Sequence, residues 1–161
     1  IDREVITIKT RNIPDAELKA ARQTVAELSG TAASEKMTSE GLADGNNAVK
    51  LFFATEMVAF ADKCAGKNNP FTLLSLQFGN ELAITSLPGE PFTEIGLAIK
   101  QQSPFAMTLV VSLGMGSCGY VPMAECFSRG GYEILPVCGG GAVPETAQQL
   151  IDASVKMLKR G

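Results

Sequence analysis

The order of hydrophobic patterns after residue 70 is the feature that most limits what this chain can fold into. Residues 71–78 and 81–87 are β-prone runs joined by Gly79-Asn80, a pair that is typical of a hairpin turn. Residues 91–102 then have helical spacing, and residues 106–113 form an apolar run that is typical of a strand in the middle of a sheet. Strands and helices in this order predict an α/β fold with a mixed sheet and flanking helices.

The remaining segments extend this prediction towards both ends of the chain. Residues 3–10 alternate apolar and polar side chains and predict a strand. Helical spacing predicts helices over residues 14–30, 47–65 and 144–159. Residues 31–46 are rich in Ser, Thr, Gly, Asp and Asn, and we expect a loop or a loosely helical connector there.

Length and composition limit the domain count and the class of partner. With 161 residues, 45% of them hydrophobic, residues 1–161 predict a single α/β domain or a fragment of a larger catalytic domain. A net charge of −3, with no run of Lys or Arg, argues against a nucleic-acid partner. The longest strongly apolar stretch, residues 105–113, is too short to cross a bilayer, so no transmembrane segment is predicted.

The N-terminal end of the sequence has neither an initiating methionine nor a signal-peptide pattern. The chain starts at Ile1 without a basic segment followed by an apolar one. We therefore expect trimming from a longer precursor, whose upstream part would carry any targeting signal.

Glu90 and Tyr120 are the candidate oxygen ligands of a metal site. Glu90 lies in the turn Pro88-Gly89-Glu90, where a strand gives way to a helix, and Tyr120 lies on a second glycine-containing turn. Each has a structural alternative: Glu90 as an acid that stabilises a helix start, Tyr120 as a half-buried phenol bonded to a carbonyl. The same alternative applies to Tyr132, which also follows glycine. Because the chain contains no histidine, any further metal ligands are expected from outside it.

Two glycine-rich segments offer weaker hypotheses. Residues 114–119 match G-x-G-x-x-G after a predicted strand, but Pro122 would interrupt the helix that a dinucleotide site needs. Gly139-Gly140-Gly141 has the composition of an anion cradle, yet a flexible connection to a helix explains it as well.

The four cysteines, Cys64, Cys118, Cys126 and Cys138, contain no C-x-x-C pair, which argues against a zinc knuckle or a thioredoxin-type site. Buried thiols are favoured over disulfides for a domain of this size, and both remain open.

Several segments together resemble the neutral/alkaline, non-lysosomal ceramidase family. They are residues 82–92, Ser103-Pro104-Phe105, residues 109–113, Gly119-Tyr120-Val121-Pro122 and Gly130-Gly131-Tyr132-Glu133. In order and spacing the resemblance covers residues 71–161, whereas residues 1–70, a predicted strand plus helices, are only compatible with it.

The resemblance implies the C-terminal portion of a zinc-dependent amidase that cleaves the N-acyl bond of a lipid such as ceramide. By similarity, Glu90 and Tyr120 would be zinc ligands, two histidines from the upstream part of the precursor would complete the set, and Tyr132 would assist at the scissile amide as an oxyanion donor. A secreted, periplasmic or cell-surface location is implied in the same way.

This sequence departs from the family pattern in lacking the histidine ligands. It also shows no counterpart of the family's C-terminal immunoglobulin-like domain, and in this respect it is expected to be more similar to the shorter bacterial relatives. The chain alone is therefore expected to be inactive. The alternative function is a non-catalytic binding or assembly domain with the same fold.

Overall fold

A computed structural model describes residues 1–30 and 38–160 of the chain, without the side chains of residues 42–44. It contains helices and a mixed sheet, and this confirms the predicted α/β class. The elements are, in chain order, β1 (Asp2–Lys9), α1 (Asp15–Leu28), α2 (Ser39–Asp44), α3 (Asn47–Lys63), β2 (Asn68–Phe78), β3 (Leu82–Ser86), β4 (Glu90–Pro91), α4 (Thr93–Gln102), β5 (Met107–Val111), β6 (Tyr120–Val121) and α5 (Thr146–Leu158), with 3-10 turns at Ala124–Ser128 and Tyr132–Ile134.

The contacts divide the chain into two compact units. The first consists of Ile1–Arg11, Gly66–Ile134 and Gly139–Gly161, and the second of Asn12–Ala65 and Leu135–Cys138. That residues 1–161 form one domain or a domain fragment stays a prediction.

The first unit contains two sheets. The larger has the strand order β1-β2-β3-β5, antiparallel except for the parallel pair β3–β5. The smaller consists of β4 and β6, which run parallel. The hairpin predicted at Gly79-Asn80 joins β2 to β3 and is confirmed, because Phe78 pairs with Leu82 across it.

One face of the larger sheet is covered by α4 and α5 and forms the core of this unit. Ile8, Leu73 and Ala83 point into it from the strands, and Ile95 and Ile99 meet them from α4. Helix α5 buries the apolar side that its sequence spacing predicts. Its inward residues are Ala147, Leu150, Ile151, Val155 and Leu158.

The opposite face of the larger sheet is apolar and partly open, and we call it the exposed sheet face. It consists of the exposed side chains Phe78, Met107, Leu109 and Val111 with the half-buried Leu74, Leu76, Leu82 and Ile84.

The prediction that residues 106–113 form a strand in the middle of the sheet was wrong. In the described part of the chain β5 is an outer strand, and Leu109 remains 45% exposed. Its apolar run extends over both faces of the strand, whereas α4 and α5, the helices of the same unit, cover one of them.

The second unit is helical. The predicted helices over residues 14–30 and 47–65 are confirmed as α1 and α3, which pack against each other. Of the predicted connector at 31–46, residues 31–37 lie outside the described residues, and α2 follows with Thr38 as its N-cap. No helix in the described part of the chain has the length and apolarity that a membrane span requires.

Candidate active site

The parallel pairing of β4 with β6 brings the two predicted ligands side by side. In this register Glu90 is the direct partner of Tyr120, and Pro91 of Val121. The Glu90 N–H donates to the Gly119 carbonyl at 2.9 Å, and the Phe92 N–H donates to the Val121 carbonyl at 3.0 Å. Two residues far apart in sequence therefore present their side chains from neighbouring backbone positions.

The pairing also weakens the structural alternative for Glu90. The prediction that Glu90 heads the following helix was wrong, since Glu90 lies in β4 and α4 begins at Thr93, after Phe92 as its N-cap. The stabilisation of an acid by a helix dipole is confined to the first turn, and Glu94 occupies that position instead.

The close approach of the two turns requires glycine at position 89. Gly89 has φ +71°, and a Cβ atom there would lie 2.3 Å from the Gly119 carbonyl oxygen and 2.8 Å from the Cys118 sulfur. Cys118 is buried against this turn, and its thiol donates to the Pro88 carbonyl at 3.5 Å. Burial raises the pKa of Cys118 to about 11, so this thiol stays protonated and is a packing group rather than a nucleophile.

Tyr132 reaches the same place from the 3-10 turn Tyr132–Ile134. Its hydroxyl donates a hydrogen bond to the Tyr120 hydroxyl at 3.0 Å, and the two rings meet edge to face with centroids 5.4 Å apart. Tyr132 is 52% exposed, whereas Tyr120 is half-buried. All three predicted site residues thus belong to one cluster, in which Tyr120 is the strand partner of Glu90 and the hydrogen-bond partner of Tyr132.

The environment of Tyr120 raises its pKa. The hydrogen bond with Tyr132 is the largest cause, followed by partial burial and then by the hydrogen bond and the negative charge of Glu90. Two phenols that share a bond lose their protons in separate steps, and the carboxylate disfavours a phenolate on Tyr120. At neutral pH, Tyr120 therefore keeps its proton.

Glu90 and Tyr120 border an open cleft of about 390 Å³. Its lining residues are Glu90, Pro91, Phe92, Thr93, Glu94, Tyr120 and Glu133. Its charged groups are three carboxylates, so the cleft favours a cation or the positive part of a ligand. Sequence reasoning missed Glu133. The only signal for it was its position next to Tyr132.

Arg11 supports the turn that carries Tyr132, a role that sequence reasoning also missed. Its guanidinium donates to the Ile134 carbonyl and lies over the Phe127 ring, 5.8 Å from the centroid. Contacts between residues so distant in the sequence leave no local pattern.

A larger cleft of about 800 Å³ runs beside α5, with Glu4, Glu125, Asp152 and Lys156 among its lining residues. Lys156 and Glu4 are paired there at 3.3 Å. We favour the smaller cleft as the candidate site because Glu90 and Tyr120 line it and Tyr132 donates a hydrogen bond to Tyr120, whereas the size of a cleft alone indicates no chemistry.

The dinucleotide hypothesis does not fit the backbone after β5. Residues 114–119 form a turn with left-handed φ angles at Met115 and Gly116, and they lead into β6 instead of a helix. The helix N-terminus that would bind a pyrophosphate does not form at this point.

The residues of the cluster fit part of a zinc site. A carboxylate and a phenol oxygen are ligand types that zinc accepts with nitrogen or sulfur partners, and two oxygens alone hold it weakly. Among residues 1–30 and 38–160, no group of three or more His, Cys, Asp or Glu side chains is arranged to bind a metal ion.

Comparisons with protein-family models, with curated proteins and with solved structures find no match to this chain.

Proposed function

We propose that this chain is the C-terminal portion of a zinc-dependent hydrolase that resembles neutral ceramidase and cleaves an N-acyl amide such as that of ceramide. The observation that carries the proposal is the pairing of Glu90 with Tyr120 and the hydrogen bond from Tyr132 to Tyr120. The family resemblance assigns roles to three residues, and these same three residues converge although up to 42 positions separate them in the sequence.

Glu90 and Tyr120 would supply two of the oxygen ligands, and the remaining ligands would come from an upstream part of the same precursor. Bound zinc would supply Lewis-acid chemistry, polarising the carbonyl of the scissile amide. Glu90 serves as an anionic donor whose backbone is fixed by β4. The Tyr120 oxygen accepts a hydrogen bond from Tyr132 with one lone pair, and its other lone pair would be available to a cation.

Tyr132 has the position of a group that touches the substrate. Its ring is exposed, and its hydroxyl needs only a rotation to donate away from Tyr120. A donor at this place would stabilise the negative charge that develops on the amide oxygen, an effect worth about 3 kcal/mol in comparable oxyanion sites. The three carboxylates of the cleft would repel an anionic head group, which favours a neutral N-acyl substrate.

The test is the zinc content of the full-length product of the gene, purified as the wild type and as Glu90→Gln. We expect about one zinc per wild-type molecule. The Glu90→Gln variant should bind zinc more weakly than the wild type by a factor of about ten or more, because the amide that replaces the carboxylate is neutral and a poor ligand. Elemental analysis after dialysis against a weak chelator measures this.

Glu94→Gln is the matched control. Glu94 lines the same cleft from the first turn of α4, so its substitution should leave the zinc content unchanged. Full zinc and full amidase activity in Glu90→Gln would refute the ligand assignment. A wild type without zinc would favour the non-catalytic binding or assembly domain.

A further inference from the structure

β1 is an outer strand of the larger sheet, and in the described part of the chain β2 is its only strand neighbour. The backbone groups of successive residues in a strand point to alternate sides. The Lys9 carbonyl accepts from the Val143 N–H at 3.0 Å, on the side away from β2. The odd-numbered residues of β1 therefore direct their backbone N–H and C=O groups away from β2, towards the outer edge.

Pairing covers only one end of this outer edge. Ala142 forms an isolated antiparallel bridge just after the last residue of β1. Glu145 would be the next residue to bond to β1, but it has helical backbone angles (φ −70°, ψ −12°) as the N-cap of α5, so the ladder ends there. The Thr7 carbonyl accepts from the Gln149 side chain at 2.9 Å instead. The Thr7 N–H and both backbone groups of Val5 have no strand partner among the described residues, and we call residues 3–7 the open edge.

The larger cleft beside α5 borders the open edge. Glu4 and Ile6 line it from β1, and so does Gln149, whose side chain reaches the edge at Thr7. With a volume of about 800 Å³, the cleft has room for a short segment of another chain. Part of its wall is apolar and consists of Ile6, Met123, Ala124, Pro144, Ala147 and Ala153.

The charges that line the cleft are mostly negative. They are the side chains of Glu4, Glu125, Glu145, Asp152 and Lys156. Lys156 is already paired with Glu4 at 3.3 Å, whereas Glu125, Glu145 and Asp152 are exposed. The cleft therefore has an excess of carboxylates and favours a partner of positive charge.

We propose that the open edge binds an extended basic segment of a partner protein as an added antiparallel strand. Successive side chains of such a strand point to opposite faces of the sheet. One set lies in the cleft, where Lys or Arg meets the exposed carboxylates. The other set lies next to Val5, which is 57% exposed, and apolar side chains fit there. Backbone hydrogen bonds to Val5 and Thr7 provide affinity, and the charges provide specificity.

Charge argues against a second copy of β1 as the occupant. Pairing between two open edges would place Asp2 and Glu4 of the second copy on the cleft side of the sheet, because they alternate with Val5 in the strand. Carboxylates already predominate on that side, and like charges oppose association. The proposal is independent of zinc and of amide hydrolysis, so its test needs neither.

Hydrogen exchange of the ¹⁵N-labelled chain, followed by NMR, tests the proposal. The probe is a synthetic seven-residue peptide in which Val and Lys alternate. Its addition should slow exchange of the Val5 and Thr7 amides by about tenfold or more, because these N–H groups gain acceptors. Ile6 is the internal reference, since it already pairs with Phe71 of β2, and its exchange should change less.

Two control peptides separate strand addition from attraction by charge alone. The first is N-methylated at its Val residues, so that it keeps its charge but cannot donate to β1. The second has Glu in place of Lys and keeps the backbone pattern. Neither should slow exchange at Val5 or Thr7. Equal affinity of the methylated and unmethylated peptides would overturn the proposal.

Asp152→Lys and Glu27→Lys are the matched variants, because both change an exposed helical carboxylate into an ammonium group. Asp152 lines the cleft, whereas Glu27 lies on α1, outside the lining of the cleft. The Kd of the Val–Lys peptide should rise by about tenfold in Asp152→Lys and stay near the wild-type value in Glu27→Lys. Equal weakening in both variants, no binding by the wild type, or binding that leaves exchange at Val5 and Thr7 unchanged would also overturn the proposal.

Discussion

Tyr120 is the residue at which the chemistry of the candidate site converges. Its hydroxyl receives a hydrogen bond from Tyr132 at 3.0 Å, and its strand partner Glu90 contributes to the upward shift of its pKa. A phenol held between another phenol and a carboxylate keeps its proton in the isolated chain. A bound cation would oppose both effects, because positive charge favours the phenolate. The titration of Tyr120 is therefore a direct measure of what occupies the cluster.

We predict that Tyr132→Phe lowers the pKa of Tyr120 towards its ordinary value, because the variant removes the largest cause of the upward shift. The chain has two tyrosines and no tryptophan, so tyrosinate absorbance in the variant reports on Tyr120 alone. The wild type should show two pH midpoints in tyrosinate absorbance, one for each tyrosine. The single midpoint of Tyr132→Phe should lie below the higher of these two. Circular dichroism over the same pH range verifies that the chain stays folded.

Glu90→Gln provides the comparison for this titration. It removes the hydrogen bond and the charge of Glu90, which rank below the bond with Tyr132 among the causes, so the downward shift of the Tyr120 pKa should be smaller. An upper midpoint that does not move in either variant would mean that the cluster does not form in solution. In the full-length protein, Tyr132→Phe should keep zinc and slow amide hydrolysis.

At the scale of elements, the site rests on the shortest strands of the fold. β4 and β6 have two residues each, and their pairing depends on the close approach of the turns at Gly89 and Gly119. A Cβ atom at Gly119 would lie 2.6 Å from the Cα atom of Gly140, so a third chain segment packs against this pair. Backbone contact at glycine, more than strand length, holds Glu90 next to Tyr120.

We predict that Gly89→Ala lowers the free energy of unfolding by about 3 kcal/mol, because it combines a left-handed φ with a clash against the Gly119 carbonyl. Gly79→Ala is the matched control. Gly79 has φ +55°, and a Cβ atom at this position would have no neighbour within 4 Å, so the substitution should cost only about 1 kcal/mol. Urea denaturation measures both, and equal losses would contradict the proposed close approach.

The sequence predicted the helices better than it predicted the pairing of the short strands β4 and β6. Helical spacing located α1, α3, α4 and α5 because the apolar positions of a helix repeat within a few residues. The parallel pairing of β4 with β6 joins residues 30 positions apart and leaves no local periodicity, so the sequence pattern placed Glu90 at a helix start. The resemblance seen in the sequence indicated Glu90, Tyr120 and Tyr132, whereas only the three-dimensional structure brought Glu133 and Arg11 to the site.

At the scale of the whole molecule, the exposed sheet face differs from the polar surface that is usual for a soluble domain. Its exposed members include Phe78, Met107 and Leu109, and they lie on neighbouring strands in matching register. Contiguous apolar surface of this kind promotes association, and β5 is an outer strand of the sheet in the described part of the chain.

We predict that Leu109→Lys reduces self-association of the isolated chain and its binding of a hydrophobic dye, while the free energy of unfolding changes by about 0.5 kcal/mol or less. Leu73→Lys is the contrasting variant, because Leu73 is fully buried on the opposite face of the same sheet and a charge there should prevent stable folding. Light scattering and dye fluorescence measure the first effect. Unchanged association in Leu109→Lys would show that this face does not drive it.

The hydrogen bonds around residues 10–11 and 66–67 have a consequence for how this chain tolerates changes in length. The Thr10 N–H donates to the Lys67 carbonyl at 2.9 Å, and the Gly66 N–H donates to the Arg11 carbonyl at 3.4 Å. The helical segment Asn12–Ala65 thus leaves and rejoins the sheet at adjoining backbone positions, which is the geometry of an inserted segment. Because the two ends of this segment already adjoin, a change in its length should cost the sheet little loop-closure entropy and should preserve the pairing of Glu90 with Tyr120.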